Sequence, residues 1–262
     1  MRILITGVHG FVGGNLVKAL KKDNEIYVLY GLDIVAPEKE GVMRTYSWEE
    51  LERIEGIDAI VHLAGKAHDT KNQSKAQVYF DINTGLTQKI YDYFLTSSAK
   101  KFVFFSSVKA AADQVVGEIL TEEVIPSPKG PYGESKIKAE VYIQSKWPAD
   151  KFVYILRPCM IHGPGNKGNL NLLYQVVKKG FPWPLGAFEN KRTFTSIDNL
   201  CYVVEGLLTK EVVSGIYHMA DDEALSTNEL IDVICEAMGY KAHIWHLNKT
   251  MMEQVARMGT LL

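Results

Sequence analysis

The chain has 262 residues, of which 47% are hydrophobic, and its 29 basic and 31 acidic side chains leave a net charge of −2. This length and composition allow one large α/β domain with a substantial core, and the near balance of charge gives no reason to expect a nucleic-acid or membrane-surface binder. No apolar run reaches about 18 residues, the N-terminus lacks the features of a signal peptide, and the three widely spaced cysteines indicate reduced thiols in a cytoplasmic protein.

Short apolar runs alternate with helical patterns in the first half of the chain. The apolar runs predict buried strands at residues 3–6, 26–30, 59–63, 102–105 and 152–156. Apolar residues at helical spacing predict helices at residues 11–21, 77–95 and 132–146. Strands that alternate with helices favour a parallel sheet covered on both faces. The predicted fold class is therefore α/β, with a Rossmann-type doubly wound parallel sheet and a small C-terminal substrate-binding part.

The pattern changes after Pro158, where two stretches are rich in Gly, Pro and Asn. These stretches, GPGNKGNLNLL and KKGFPWPLGAFENKR, are interpreted as functional loops. A further helix is predicted at residues 197–208 and a strand at 215–219. Ser226 and Glu229 have the spacing of a capping box, which opens a helix predicted at 229–238.

The order of these elements also predicts a domain organisation. The polar stretch 109–131, which contains three prolines, is interpreted as a long surface connection. We expect a dinucleotide-binding domain at 1–158, with 193–220 returning to it. The remaining segments, 159–192 and 221–262, would form the substrate-binding part.

Two histidines, His243 and His246, raise the question of a metal site. Metal sites need three or four converging ligands, and no cysteine or acidic partner lies close to this pair in sequence. A structural role is favoured for both, and no metal is predicted.

A glycine-rich turn follows the first predicted strand, in the sequence TGVHGFVG at residues 6–13. Gly7 allows a tight turn, Gly10 lets the backbone approach a pyrophosphate, and Gly13 lets the helix pack closely on the sheet. Phe11 and Val12 lie at the helix N-terminus, where backbone N–H groups and the helix dipole favour phosphates. The turn predicts a dinucleotide site, and a glycine-rich turn without a ligand is the alternative.

Asp33 follows the second predicted strand, about 20 residues after Gly13, where an acid can accept hydrogen bonds from the adenosine ribose hydroxyls. It would repel a 2′-phosphate, and the residue after it is Ile34 rather than a basic side chain. These features predict NAD rather than NADP as the cofactor. A solvated acid in a turn is the alternative.

Tyr132 and Lys136 are four residues apart at the start of a predicted helix and therefore share one face. A free tyrosine is a poor base at neutral pH because its pKa is about 10. A nearby ammonium stabilises the phenolate and lowers that pKa, so the pair could take a proton from a sugar hydroxyl while hydride leaves the same carbon. Ser106 and Ser107 follow the strand at 102–105, where a hydroxyl could hold the substrate oxygen. The alternatives are a helix with a solvated lysine and a pair of hydroxyls that cap a turn.

A series of motifs crosses most of the chain in a fixed order: TGVHGFVG, Asp33, HLAG at 62–65, Asn83 in DINTG, FSS at 105–107, YGESK at 132–136 and LRPCMIHGPG at 156–165. In these motifs the sequence resembles the extended short-chain dehydrogenases/reductases, within the NAD-dependent epimerase/dehydratase family that acts on nucleotide sugars. GPGNKGNLNLL and PLGAFENKRTFTSIDNL further resemble the bacterial branch that handles UDP-hexoses and UDP-N-acetylhexosamines for surface polysaccharides.

The resemblance implies a role for each matching residue. Ser107, Tyr132 and Lys136 would form the catalytic triad. UDP-sugar would be bound by Ser107, Asn169 and Leu170, with Arg192 facing its diphosphate. With the glycine turn, the predicted NAD-binding residues are Gly7, Gly10, Phe11, Val12, Gly13, Asp33, Leu63, Ala64, Gly65, Asn83, Ser106, Tyr132, Lys136 and Pro158.

Many relatives pair through two long helices, so the resemblance also implies a homodimer. The stretches 77–95 and 132–146 could form that interface. Packing of both helices on the sheet alone is the alternative.

The sequence departs from the family pattern at several points. Tyr46-Ser47-Trp48 stands where Asp-Ile or Asp-Leu usually holds the adenine, and Ala110-Ala111-Ala112 replaces Val-Tyr-Gly. The chain ends at Leu262, earlier than most relatives, which suggests a truncated product. Dehydratases carry an Asp-Glu pair directly after the serine or threonine. Val108 and Lys109 stand there instead, so 4,6-dehydration is disfavoured.

Two reactions would use only the predicted triad and NAD. The first is 4-epimerisation of a UDP-sugar, in which Tyr132 removes the O4 proton, hydride passes to tightly held NAD, and hydride returns to the other face of the ketone. The second is reduction of a UDP-4-keto-6-deoxy-hexosamine, with NADH or NADPH consumed in each turnover. We favour the first. A non-catalytic NAD-binding sensor or scaffold is less favoured, because such proteins commonly lack the Tyr or the Lys.

Overall fold

A computed structural model describes residues 1–22, 26–67, 75–166 and 168–252. The chain forms two compact units. The first is built from Met1–Ile161 and Thr195–Ala220, and the second from His162–Phe194 and Asp221–Leu262. The assignment of dinucleotide binding to one part of the chain and of substrate binding to the other stays a prediction.

The strands occur in chain order as β1 (Arg2–Thr6), β2 (Val28–Leu32), β3 (Arg44–Tyr46), β4 (Ala59–His62), β5 (Lys101–Phe105), β6 (Phe152–Pro158), β7 (Met160–His162), β8 (Phe194–Ser196) and β9 (Gly215–Met219). In the described residues, seven of them form one sheet in the order β3-β2-β1-β4-β5-β6-β9, and every neighbouring pair is parallel. β7 and β8 form a separate two-stranded sheet. This arrangement confirms the predicted Rossmann-type α/β fold.

The helices are α1 (Phe11–Lys22), α2 (Ala76–Tyr79), α3 (Leu86–Thr96), α4 (Val108–Ala111), α5 (Gly130–Ser145), α6 (Asn169–Lys178), α7 (Ile197–Thr209) and α8 (Thr227–Ala237). A 3-10 turn lies at Leu51–Arg53, and a π-helical segment at Phe80–Gly85 joins α2 to α3. Among the described residues, no helix combines the length and the apolar character needed to cross a bilayer.

The large sheet has a hydrophobic layer on each face, because successive side chains of a strand point to opposite sides. In β1, Ile3 and Ile5 pack with α1 and α7, whereas Leu4 packs with α3 and α5. Both layers consist of side chains that are almost completely buried. The sheet is therefore held rigidly from both sides, and its carboxyl edge can position functional groups.

Several predicted elements differ from the structure. The second strand starts two residues later than predicted, because Val28 pairs with Arg2 and Leu32 with Thr6, which leaves Ile26 exposed. β3 was not predicted, since three residues that include an arginine give no apolar run. The helix predicted at 77–95 is helical as expected, but its first half contains the π segment.

Two stretches interpreted as loops contain helices. Val108–Ala111 forms α4, which overlaps the start of the predicted connection 109–131, because Ala110 and Ala111 are buried in the first unit. Asn169–Lys178 forms α6, since apolar side chains on one face pack in the small core of the second unit. The predicted capping box is confirmed, with Ser226 and Glu229 bonded to each other's backbone at the start of α8.

Candidate active site

The glycine turn between β1 and α1 has the tight geometry that its spacing predicts. Gly7 has a φ of +66°, a left-handed conformation that side chains disfavour. Its N–H donates to Leu32 O at 2.8 Å, and its carbonyl accepts from Gly10 N at 2.9 Å. A methyl group on Gly13 would lie 2.5 Å from Gly7 O and 2.8 Å from Val8 Cα, so only glycine fits there. The turn thus brings the first turn of α1, with Phe11 and Val12, directly onto the strand end.

Asp33 lies just past the end of β2, beside this turn. One carboxylate oxygen accepts from His9 N at 3.0 Å and the other from Ile34 N at 2.8 Å. Among the described residues, the buried His9 Nε2 atom has no hydrogen-bond partner. A glycine turn at a helix N-terminus, an oriented acid and an unpaired buried nitrogen are features that fit a dinucleotide. The residues present therefore fit NAD.

The segment after β4 lies against the turn and against α5. Gly7 packs on Leu63 and Ala64 so closely that a methyl group at Gly7 would lie 2.9 Å from Ala64 Cα. A methyl group on Gly65 would lie 3.0 Å from Asn83 Oδ1 and 3.1 Å from Lys136 Nζ. The structure thus brings these predicted cofactor-binding residues together.

Asn83 is buried in the π segment and fixes two neighbouring elements. Its side-chain oxygen accepts from Lys66 N at 2.7 Å, while its amide donates to Lys66 O at 3.1 Å and to Ser135 Oγ at 2.9 Å. Ser135 in turn donates to Tyr132 O at 2.8 Å. Asn83 therefore links the chain after β4 to the first turn of the helix that carries Tyr132.

Tyr132 and Ser107 meet at the start of α5 and α4. The Ser107 hydroxyl caps α4 by accepting from Lys109 N at 3.2 Å. Burial raises the pKa of Tyr132, and a hydrogen bond from Ser107 opposes that rise. The expected lowering of the Tyr132 pKa by a neighbouring ammonium is therefore wrong for the protein without cofactor: burial raises this pKa, and the opposing contribution comes from Ser107.

Lys136 lies one helical turn after Tyr132 and is almost completely buried. Its Nζ atom donates to Phe105 O at 2.7 Å. Burial lowers the pKa of Lys136 from its ordinary value of 10.5 to about 8, although the charge on Glu140 acts in the opposite direction. The ammonium is therefore held at the end of β5, next to Ser106 and Ser107.

Sequence reasoning missed a buried ion pair behind this site. Glu140 and Arg157 are 0% and 2% exposed, and Arg157 Nη2 donates to Glu140 Oε2 at 2.6 Å. The Ser106 hydroxyl donates to Glu140 Oε1. Because the hydroxyl proton of Ser106 is used in the bond to Glu140, the cofactor could contact Ser106 only through its other atoms. Two features of the sequence could have indicated this ion pair: an acid four residues after Lys136, and an arginine inside an apolar strand.

Tyr79 is a second residue that sequence reasoning missed. Its ring meets the Tyr132 ring edge to face, with centroids 6.4 Å apart, and Lys66 Nζ lies 5.7 Å from its centroid. Tyr79 precedes the π segment on the same helical stretch as Asn83. Tyr79 therefore packs against one side of the predicted catalytic residue Tyr132.

The remaining predicted residues lie in other places. Pro158 is buried at the end of β6, in register with Met219 of β9. In the second unit, Asn169 and Leu170 begin α6, and Arg192 is exposed, with its backbone paired to Leu225. Their roles toward UDP stay predictions.

Comparisons with known proteins agree with this geometry. A model of the NAD dependent epimerase/dehydratase family matches residues 3–220. UDP-glucose 4-epimerase of Vibrio cholerae is 30% identical over 247 residues, which cover 90% of this chain and 75% of that protein. N-acetyl-alpha-D-glucosaminyl-diphospho-ditrans,octacis-undecaprenol 4-epimerase of Escherichia coli O157:H7 is 27% identical over 254 residues, with coverages of 94% and 75%. The crystal structure of UDP-N-acetylglucosamine 4-epimerase from Bacillus cereus is similar with a TM-score of 0.78 and 25% identity, over 93% of this chain and 86% of that one.

Proposed function

The chain belongs to the NAD-dependent epimerase/dehydratase family and is an NAD-dependent enzyme of sugar nucleotides, and from this premise we propose that it catalyses 4-epimerisation of a UDP-hexose or UDP-N-acetylhexosamine. The observation that carries the proposal is the meeting of Ser107, Tyr132 and Lys136 at the carboxyl end of β5, beside the glycine turn. A 4-keto intermediate would form and be reduced again in the same site.

Tyr132 would accept the proton of the sugar 4-hydroxyl and later return it. Ser107 would hydrogen-bond to the same oxygen. Bound NAD would supply the hydride acceptor and then the hydride donor, so no external reductant would be consumed. Lys136 would hold the cofactor ribose.

The residues after Ser107 support epimerisation over dehydration. Dehydration needs one acid for the leaving hydroxyl and a base for the C5 proton. Val108 and Lys109 stand at these positions, and the Lys109 ammonium pairs with Asp113. Asp113 is the first acidic residue after Ser107 in the sequence, and its carboxylate is already used in this ion pair.

The test is incubation with UDP-glucose and, separately, with UDP-N-acetylglucosamine, without added NADH. We expect the C4 epimer to appear in one of the two reactions, detected by NMR of the sugar protons. If neither substrate reacts, but a UDP-4-keto-6-deoxy-hexosamine is reduced with stoichiometric loss of NADH, the ketoreductase alternative is correct.

The Escherichia coli relative is named for a lipid-linked diphosphate sugar, which suggests a further arm of this experiment. The same groups would act on the sugar, because the chemistry at C4 does not involve the group beyond the diphosphate. Conversion of undecaprenyl-diphosphate N-acetylglucosamine, with no conversion of either UDP-sugar, would replace UDP in the proposal.

We also propose a homodimer that pairs through α3 and α5. Val141 on α5 is 58% exposed, close to a surface cluster in which Asp92 on α3 accepts from Tyr142 and Lys146. Light scattering of the parent and of Val141→Asp would test this, and a parent that is monomeric at micromolar concentration would contradict it. A cytoplasmic location and a role in surface polysaccharide synthesis belong to the same proposal and rest on the resemblance.

A further inference from the structure

His62, the last residue of β4, is a buried titratable group that the proposed reaction does not use. It is completely buried, as are Thr6 and Thr87 on either side of it. Its Nδ1 atom lies 2.6 Å from Thr6 Oγ1, and its Nε2 atom lies 2.9 Å from Thr87 Oγ1. Both ring nitrogens are thus hydrogen-bonded to hydroxyls that come from distant parts of the first unit.

The protons of this chain of hydrogen bonds can be assigned by counting donors. Thr87 Oγ1 donates its one proton to Asn83 O at 2.6 Å, so it must accept from a proton on His62 Nε2. In a neutral ring Nδ1 is then an acceptor, and it takes the proton of Thr6. Thr6 Oγ1 in turn accepts from the N–H groups of Leu63 at 3.1 Å and Ala64 at 3.0 Å.

The surroundings keep this ring neutral. Burial lowers the pKa of His62 well below its ordinary value, and the charge on Lys136 lowers it further. A protonated ring would have two donors and could not accept the proton of Thr6. The arrangement therefore works with one charge state and one tautomer.

We infer that His62, as the neutral Nε2–H tautomer, is a positioning residue that fixes the backbone of residues 63–66 for NAD. Through Thr6 it holds the first amides of this segment against the glycine turn. Through Thr87 it holds the backbone of Asn83, whose side chain binds both backbone groups of Lys66. The segment is thus fixed at both ends by one imidazole. The inference rests on the role of residues 63–65 as part of the NAD site.

A matched pair of variants at Thr87 tests this role by NAD binding rather than by turnover. Thr87→Val keeps the shape and removes the hydroxyl, whereas Thr87→Ser keeps the hydroxyl. Protein freed of nucleotide is titrated with NAD by calorimetry. We expect about fivefold to tenfold weaker binding for Thr87→Val, and a value within about twofold of the parent for Thr87→Ser, since a buried donor left without its partner is costly.

Tyr93→Phe is the control for a general loss of stability. Tyr93 is buried, and its hydroxyl donates to Ile54 O at 2.7 Å, away from the glycine turn. This variant should unfold at a lower denaturant concentration but bind NAD like the parent. Parent-like NAD affinity in Thr87→Val, or equal weakening in Thr87→Ser, would overturn the positioning role. Because the parent's own NAD binding is the reference, failure to turn over a UDP-sugar does not affect this result.

The tautomer is tested directly by 15N NMR of histidine-labelled protein. The signal missing in His62→Gln identifies His62 among the seven histidines of the chain. We expect one nitrogen with a bound proton and one without, unchanged between pH 5.5 and 8, because burial holds the ring neutral. A His62 signal that titrates in this range, or that shows the Nδ1–H form, would contradict the assignment.

Discussion

Gly65 and Lys136 lie so close together that a methyl group at position 65 would come within 3.1 Å of the lysine Nζ atom. An ammonium has three donors, and one of those of Lys136 is used by Phe105 O. The backbone at position 65 is exposed, whereas the lysine is buried. Because Gly65 has no side chain, the buried Lys136 ammonium lies next to exposed backbone. We expect NAD to cover this part of the site.

Replacing Tyr132 with Phe should remove turnover without unfolding the protein. The phenol is the proposed proton acceptor, and loss of a general base costs at least about 100-fold in rate. The measurement is the rate of epimer formation, together with the free energy of unfolding, which should stay close to that of the parent. Tyr142→Phe is the control on the same helix, since Tyr142 bonds to Asp92 at the surface. Full activity in Tyr132→Phe would refute the catalytic assignment.

Two adjacent glycines of α1 should respond differently to alanine. A methyl group on Gly13 would lie 2.5 Å from Gly7 O, whereas the nearest atom to one on Gly14 is Lys39 Nζ at 3.6 Å. Gly13→Ala should therefore destabilise the turn and abolish NAD retention. Gly14→Ala should keep NAD and gain up to about 1 kcal/mol, because alanine is the better helix former. The free energy of unfolding and the bound NAD are measured for both. Similar behaviour of the two variants would show that the packing at Gly13 is not limiting.

Lys136 should make the stability of the protein depend on pH in a defined direction. Its pKa is about 8 in the folded protein against an ordinary value of 10.5. Between these values the unfolded chain holds the additional proton, so the contribution of Lys136 to stability rises with pH, by at most about 1.4 kcal/mol per pH unit. The free energy of unfolding of the parent, minus that of Lys136→Met, should therefore increase from pH 7.5 to pH 9.5. A flat difference would mean that the lysine is not depressed, and a falling one would mean that its pKa is raised.

Breaking the buried pair of Arg157 and Glu140 should cost far more than breaking a surface pair. Arg157→Leu leaves Glu140 without its partner in a site that excludes water, so we expect a loss of about 3–5 kcal/mol. Arg44→Leu breaks the pair with Glu50, in which the Arg44 side chain is 58% exposed, and should cost below about 1 kcal/mol. Urea denaturation measures both. Equal small losses would show that the buried pair stabilises the folded protein no more than the surface pair does.

The core strands and the placement of Tyr132 and Lys136 on one helix face could be predicted because both depend on local spacing. Apolar runs fixed the core strands, and the i, i+4 relation put the two side chains on one helix face. The three-residue β3 escaped detection because it is too short to show a period. The helix α6 was not predicted, because the glycines and asparagines at and before its start are typical of a loop.

The pKa of Tyr132 and the partner of Arg157 could not be predicted for a different reason. Arg157 and Glu140 are 17 positions apart in the sequence, and the residues around each one give no indication that the two side chains pair. The pKa of Tyr132 depends on how much water its hydroxyl loses when the chain packs, which spacing does not reveal. Local patterns therefore identified the candidate reacting groups, whereas their electrostatic surroundings depend on how the chain packs.

The π segment Phe80–Gly85 lies inside the helical stretch that runs from Ala76 to Thr96. In this stretch we expect a deletion of one residue to disturb the structure more than an exchange of one side chain. Deleting Thr84 or Gly85 would shorten the spacing of Asn83 and Thr87 from four residues to three, which changes their relative direction around the helix by about 100°. Asn83 and Thr87, now aligned on adjacent turns, would then face different neighbours. Exchanges of side chains within this segment should accumulate among related proteins more readily than gaps.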